Sequence, residues 1–208
     1  MKASTAKSLV AELTPLHVIA CGALAREITQ LIRANGWEHV VLRCLPAILH
    51  NSPEKIVPEV TRLLDELPEG AHAFVAYADC GTGGQLQALC KARSVPMLDG
   101  PHCYAVFETR EIFAEHTDEI DAFYLTDFIA RQFEAFVWRP LGLDRHPELR
   151  DLYFTHYTKL VYLAQTDDPD LDKAAKEAAE RLGLAYERRA TGFGDLALDF
   201  ERVVSASG

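Results

Sequence analysis

Short apolar runs alternate with amphipathic stretches from residue 16 onward. LHVIAC (16–21) is too brief for a helix and is bounded by Pro15 and Gly22, which predicts a strand. Leu24, Ile28, Leu31 and Ile32 then recur at helical spacing, and Gly36 ends that helix. HVVLRC (39–44) predicts a second strand, broken by Pro46. The LPAILHNSP turn leads into a helix whose apolar face is Ile56, Val60, Leu63, Leu64 and Leu67. A third strand, AHAFVAYA (71–78), runs into the glycine-rich DCGTGG, and Leu86, Leu89 and Cys90 mark the next helix. VPMLDG (95–100) predicts a fourth, shorter strand. The alternation βαβαβαβ with short connections calls for right-handed crossovers and a parallel sheet.

The middle of the chain is more helical. YLTDFIARQFEAFVW predicts one helix with Thr126 at or near its N-cap and Phe128, Phe133, Phe136 and Val137 facing inward. HPELRDLYFTHY (146–157) continues as a helix, and KLVYLAQ (159–165) returns to strand. TDDPDLDKAAKEAAERLGL is a capped helix closed by Gly183, AYERRA (185–190) fits an edge strand, and a last helix covers roughly 195–204. The expected architecture is α/β. It is a predominantly parallel sheet flanked by helices in three layers, Rossmann-like or flavodoxin-like, formed as one domain over residues 1–208.

Composition narrows the function classes. A net charge of −10 argues against sequence-independent nucleic-acid binding and against docking on an anionic membrane surface. No stretch approaches the roughly 18 apolar residues of a membrane span. In MKASTAKSLVAELTPLHV, Glu12 and Pro15 interrupt any apolar core of a signal peptide. Five cysteines without regular spacing do not form a secreted disulfide framework, so a reducing cytoplasm is the expected setting.

Candidate chemistry gathers at strand ends. Cys21, Cys80 and Cys103 each follow a predicted strand, and in a parallel sheet those ends share the ligand-binding edge. Three thiols suit zinc with an open fourth position or an iron–sulfur cluster with one iron left for a small-molecule ligand. There is no CxxC pair, so topology alone carries this expectation. Gly81, Thr82, Gly83 and Gly84 offer backbone N–H groups to an anion or cofactor, and the following helix start is expected to lower the Cys80 thiol pKa. For the glycines alone a steric turn accounts for the loop equally well, and the presence of Cys80 tips the reading toward function. His50 exits the second strand at this edge and is a fourth ligand, a general acid/base or part of a helix cap. His102, in a loop with Cys103, is a second candidate base. Cys44 is a reserve ligand, and Cys90 belongs to the core. YLTDF, QTDD (165–168) and TGFGD (191–195) are caps or pocket walls.

VIACGALAREI, LPAILHNSPEKI, VAYADCGTGG, GPHCY, FYLTDF, LGLDRHPELRD and YLAQTDD, in that order, resemble the recurring blocks of an uncharacterised bacterial and archaeal family known as a domain of unknown function. The resemblance covers nearly the whole chain. It implies an association with corrinoid-dependent methyl transfer from methylamines or betaines, hence an accessory or enzymatic role in one-carbon metabolism with a corrinoid reached through a partner protein. It points to Cys21, His50, Cys80, His102 and Cys103. The expected function is a zinc or iron–sulfur protein with a Cys-rich pocket. The alternatives are a metal-free cysteine nucleophile assisted by His50 or His102, and a non-catalytic binding partner of corrinoid proteins.

Overall fold

The computed structural model describes residues 14–116 and 118–207, so the expectation about a signal peptide falls largely outside the described residues. Among the described residues, six parallel strands form two three-stranded sheets rather than one. In the first, β1 (Leu16–Cys21) lies between β2 (Val40–Leu45) and β3 (His72–Ala76). In the second, β5 (Lys159–Ala164) lies between β4 (Ala122–Thr126) and β6 (Ala185–Ala190). The two central strands are buried on both faces, which is why LHVIAC and KLVYLA are continuous apolar runs rather than alternating ones.

The helices are α1 (Ala25–Asn35), α2 (Ile56–Asp65), α3 (Gln85–Ala92), α4 (Cys103–Glu108), α5 (Arg110–Glu115), α6 (Asp127–Arg131), α7 (Leu149–Tyr153), α8 (Pro169–Leu182) and α9 (Asp195–Ser207). Gly36 closes α1 and Gly183 closes α8, both with positive φ, as the helix-stop signals predict. Asp168 caps α8 by accepting the Asp170 N–H at 3.0 Å. The α/β class, the first three strands, β5, β6 and the long helices stand as expected.

Four local expectations change. The YLTDFIARQFEAFVW helix splits. Ala122–Thr126 pairs with β5 as β4, Thr126 caps the short α6, and Glu134–Trp138 forms a π-turn. The predicted 95–100 strand shrinks to a single parallel bridge, Val75 to Met97, because Pro96 has no N–H to donate to a ladder. The 146–157 helix keeps only Leu149–Tyr153. Finally, α4 and α5 are added to the expected elements: in α4, Ala105, Val106, Phe107 and Glu108 are buried in succession, so no polar face shows the helical period, and α5 is a six-residue helix with no buried residue.

One hydrophobic cluster runs through both sheets. Leu16, Val18 and Phe74 from the first share it with Val161 and Leu163 from the second and with Leu196 and Phe200 of α9. Phe200 meets Phe74 edge to face, ring centroids 5.3 Å apart. Glycine permits one close approach here: a Cβ at Gly194 would lie 2.1 Å from the Phe107 carbonyl oxygen, and its φ is +50°. The turn before α9 therefore seats directly on α4. Among the described residues no helix is long and apolar enough to cross a membrane.

Candidate functional site

The C-terminal ends of β1 and β3, the turn after β2, and the start of α4 meet at one edge. Gly22 follows β1 so closely against β2 that a Cβ there would lie 2.8 Å from the Leu45 carbonyl oxygen. After β3, the Asp79 and Cys80 N–H groups donate to the carbonyls of Gly100 and Pro101 at 3.0 and 2.8 Å, tying the DCGTGG loop to the segment that carries Cys103. Cys80 itself holds φ +49°, a conformation that costs a non-glycine residue about 1–2 kcal/mol.

The outcome is one enclosed pocket lined by Cys21, His50, Cys80 and Cys103 together with Leu24, Ile56, Tyr77, Ala78, Tyr104, Thr126, Phe128 and Ile129. The three thiols selected from strand topology therefore share a cavity with His50. Cys103 reaches it from the first turn of α4 rather than from a loop. The cavity holds about 30 Å³, and among the described residues no Lys, Arg, Asp or Glu lines it. A water-sized occupant needs roughly 10–15 Å³, so the space suits about two such atoms. Among the described residues, no group of three or more His, Cys, Asp or Glu side chains is already arranged around a metal position.

Burial governs the thiols. It raises Cys21 and pushes Cys80 up to about 12, with the neighbouring Cys21 adding to the Cys80 shift. Cys103 lies well above the ordinary thiol value for the same reason, with Cys80 and Cys21 contributing. The expected lowering at Cys80 does not occur. The first turn of α3 starts only at Gln85, and the loop's donors already serve an internal anion. The Asp79 carboxylate accepts the Thr82 hydroxyl at 2.9 Å and the N–H groups of Gly83 and Gly84 at 3.2 and 2.6 Å. These bonds, Gly84's first, hold the Asp79 carboxyl below its usual range. Gly83 and Gly84, offered by sequence to an exogenous anion, thus cradle the protein's own carboxylate, and Thr82 bonds it too. Gly81 packs against the Pro53 ring.

His50 sits at the rim on the Ala47–Asn51 turn, one side exposed and the other lining the pocket; desolvation lowers its pKa, leaving a neutral imidazole. It does not cap the following helical turn, whose N-cap residue is Ser52. His102 is not part of the lining. Its ring packs edge-on against Tyr104 and Phe113, with centroids 5.2 and 5.0 Å away, and its buried Nδ1 has no hydrogen-bond partner among the described residues.

The remaining candidates resolve into structure. Cys44 is exposed and lines a separate cleft with Arg43, Lys55 and Arg62, while Cys90 is buried in the core. Asp127 is buried, accepting the Tyr162 hydroxyl at 2.6 Å, the Gln165 N–H at 3.0 Å and the Thr166 hydroxyl at 2.6 Å, so YLTDF and QTDD are two halves of one internal network. Asp167 pairs with Arg188. Asp195 accepts the Arg110 backbone N–H at 2.8 Å. Thr126 and Phe128 of YLTDF also line the pocket, as the pocket-wall reading of that segment expects, so the residues not anticipated are Tyr77, Tyr104 and Ile129. Tyr77 carried a usable signal, three positions before Cys80 in the same strand-and-exit run.

A protein-family model described as "Protein of unknown function (DUF1638)" matches residues 44–198, more than half of the chain. His50, Cys80 and Cys103 lie inside the matched segment and Cys21 lies before it. No curated protein and no solved structure matches the chain.

Proposed function

The chain belongs to the DUF1638 family, and from its geometry we propose that it is a metal-binding protein whose Cys21, Cys80 and Cys103 sulfurs hold a soft metal centre, with His50 or a small-molecule ligand in the fourth position. The observation that carries this reading is the convergence of three thiols from three separate chain segments, with one neutral imidazole, on a single enclosed cavity. Three sulfurs and a nitrogen are the donor set that zinc and thiolate-bound iron favour. Loading asks the side chains to rotate onto a common point, since the free thiols line the wall without surrounding one. The cavity of about 30 Å³ favours a single ion over a multi-iron cluster, whose bridging sulfides need a wider pocket.

The raised thiol pKa values favour this reading over a metal-free nucleophile. Burial keeps each sulfur protonated near neutral pH, and a protonated thiol is a poor nucleophile. A cation placed among the three sulfurs reverses that balance, because metal coordination deprotonates a thiol outright. A bound zinc would activate a thiol or a water in its open position. The protein's part is to exclude bulk water with Leu24, Ile56, Phe128 and Ile129 and to present one neutral imidazole at the rim. A role in one-carbon metabolism beside a corrinoid protein accords with thiol activation, and it rests on the sequence resemblance alone.

Elemental analysis and a visible spectrum of anaerobically purified protein test the proposal. Stoichiometric metal is expected, colourless for zinc and brown for a cluster, and Cys21→Ala, Cys80→Ala and Cys103→Ala should each reduce it several-fold. Protein that carries no metal and takes up none on addition of zinc or of iron with sulfide, or a metal content unmoved by Cys80→Ala, overturns it.

A further inference from the structure

Tyr77 is a buried polar residue that the pocket does not yet use. Its side chain is only 2% exposed and lines the cavity; its hydroxyl lies against the Cys21 sulfur but makes no hydrogen bond of good geometry among the described residues. A buried hydroxyl left without a good acceptor costs about 1–3 kcal/mol, so its retention calls for a stronger acceptor than the neutral Cys21 thiol beside it. The neighbouring side chains identify the partner. Ala20 of β1 and Ala76 of β3 are the last paired residues of their ladder; Cys21 and Tyr77 follow them, both line the pocket, and the Tyr77 hydroxyl lies within reach of the Cys21 sulfur. A neutral thiol sulfur is a weak acceptor, whereas a thiolate is a charged and much stronger one.

We propose that Tyr77 is a positioning residue for the metal centre: its phenolic O–H donates to the Cys21 sulfur once that sulfur is a metal-bound thiolate. As the metal–sulfur bond forms, the Cys21 S–H bond breaks and its proton leaves to solvent; the phenol keeps its own proton throughout. The hydrogen bond takes up part of the thiolate's charge and fixes the direction of its free lone pair, the second-shell role that groups behind a metal ligand commonly fill. Burial and the adjacent Cys21 raise the Tyr77 pKa, which keeps the phenol a donor rather than a phenolate. The inference rests on the metal-binding reading of this pocket.

Cobalt(II) added anaerobically to metal-free protein is the probe, because its sulfur-to-metal charge-transfer band reports on the thiolates directly. Tyr77→Phe removes only the oxygen. The expected result is a charge-transfer band moved to lower energy and a cobalt Kd raised roughly 10-fold or more. The melting temperature of metal-free Tyr77→Phe should stay close to that of the parent, since the hydroxyl gives up only a weak contact with the neutral Cys21 thiol. In a Cys21→Ser background the same substitution should leave the cobalt Kd nearly unchanged, as a double-mutant cycle requires of one coupled pair. If the parent takes up no cobalt, both this inference and the metal-binding reading fall. If the parent binds cobalt and Tyr77→Phe matches it in band position and Kd, only the role of Tyr77 falls. Failure of metal-free Tyr77→Phe to fold, or a clear drop in its melting temperature, also overturns the inference, because it shows that the hydroxyl is already strongly bonded within the free protein.

Discussion

Asp79 shows how one side chain decides the chemistry of a loop. The DCGTGG segment has the glycines and N–H groups of an anion cradle, but the carboxylate at its own head takes the donors of Gly83, Gly84 and the Thr82 hydroxyl. With its anion built in, the loop's task is to hold Cys80 at a left-handed φ of +49° facing the pocket. Removing the carboxylate leaves several donors unpaired and releases that strain. Asp79→Ala should therefore cost about 1.5–3 kcal/mol, the range for hydrogen bonds to a charged group. For a chain of this size that is a fall of several degrees in melting temperature. A thermal melt showing no change would mean that water replaces the carboxylate at no cost. The glycines were legible in sequence. Their partner was not, because Asp79 and an exogenous anion satisfy the same N–H groups and only the side-chain rotamer distinguishes them.

At the scale of elements, α9 is the piece that returns the chain to its beginning. Its apolar face, Leu196, Phe200 and Val204, completes the cluster around β1 and β3. Its polar contribution is a clamp on α5. Arg110 donates to the Asp199 carboxylate through two nitrogens at 2.8 and 3.1 Å, and its backbone N–H donates to Asp195 at 2.8 Å. Asp199 is only 7% exposed, so this pair is shielded from much of the screening that weakens surface ion pairs. Asp199→Ala leaves the guanidinium without its fork partner and should lower the urea midpoint of unfolding by the equivalent of about 1.5–3 kcal/mol. Asp195→Asn, which keeps an acceptor for the backbone N–H, should cost clearly less. Equal losses in the two variants would show that the clamp is one unit rather than two contacts. Of the elements, those with a full helical period or an apolar run bounded by breakers were legible in sequence, among them β1, α1, α2, β5 and α8. Strand β4 was hidden because FYLT runs without a break into the apolar face of α6, and α4 because it is buried all round.

For the whole molecule, an ionic network joins the second sheet to the segments around it. Arg189 of β6 donates to Glu108 of α4 at 2.6 Å and to both oxygens of Glu119, which also accepts from Lys159 of β5 and Tyr124 of β4. Partial burial works against the Glu119 charge, but the hydrogen bonds from Arg189, Lys159 and Tyr124 outweigh it and lower the carboxyl from 4.5 to about 2. A carboxyl lower in the folded than in the unfolded chain binds fewer protons when folded. Its contribution is complete above pH 4.5 and is lost as the pH falls toward about 2. The urea midpoint should accordingly decline across that window. Glu119→Gln should show a shallower decline and a lower midpoint at neutral pH, and parallel curves for the two proteins would exclude Glu119 as the titrating group.

What the amino-acid sequence determined by itself is the class of the fold and the position of its thiols. Continuous apolar runs bounded by proline and glycine mark buried parallel strands, and cysteines placed just past such runs arrive at one edge whatever the order of the strands. Both follow from local covalent geometry and from the burial of apolar side chains. What only the tertiary structure decided depends on pairing between distant segments: two sheets instead of one, Cys103 on a helix start, and thiols held protonated by burial among apolar walls. Asp79 occupying the glycine loop and Tyr77 beside Cys21 belong to the same group. A hydrogen-bond partner, a desolvation cost and a strand register are properties of pairs of segments, and no single stretch of the chain carries them.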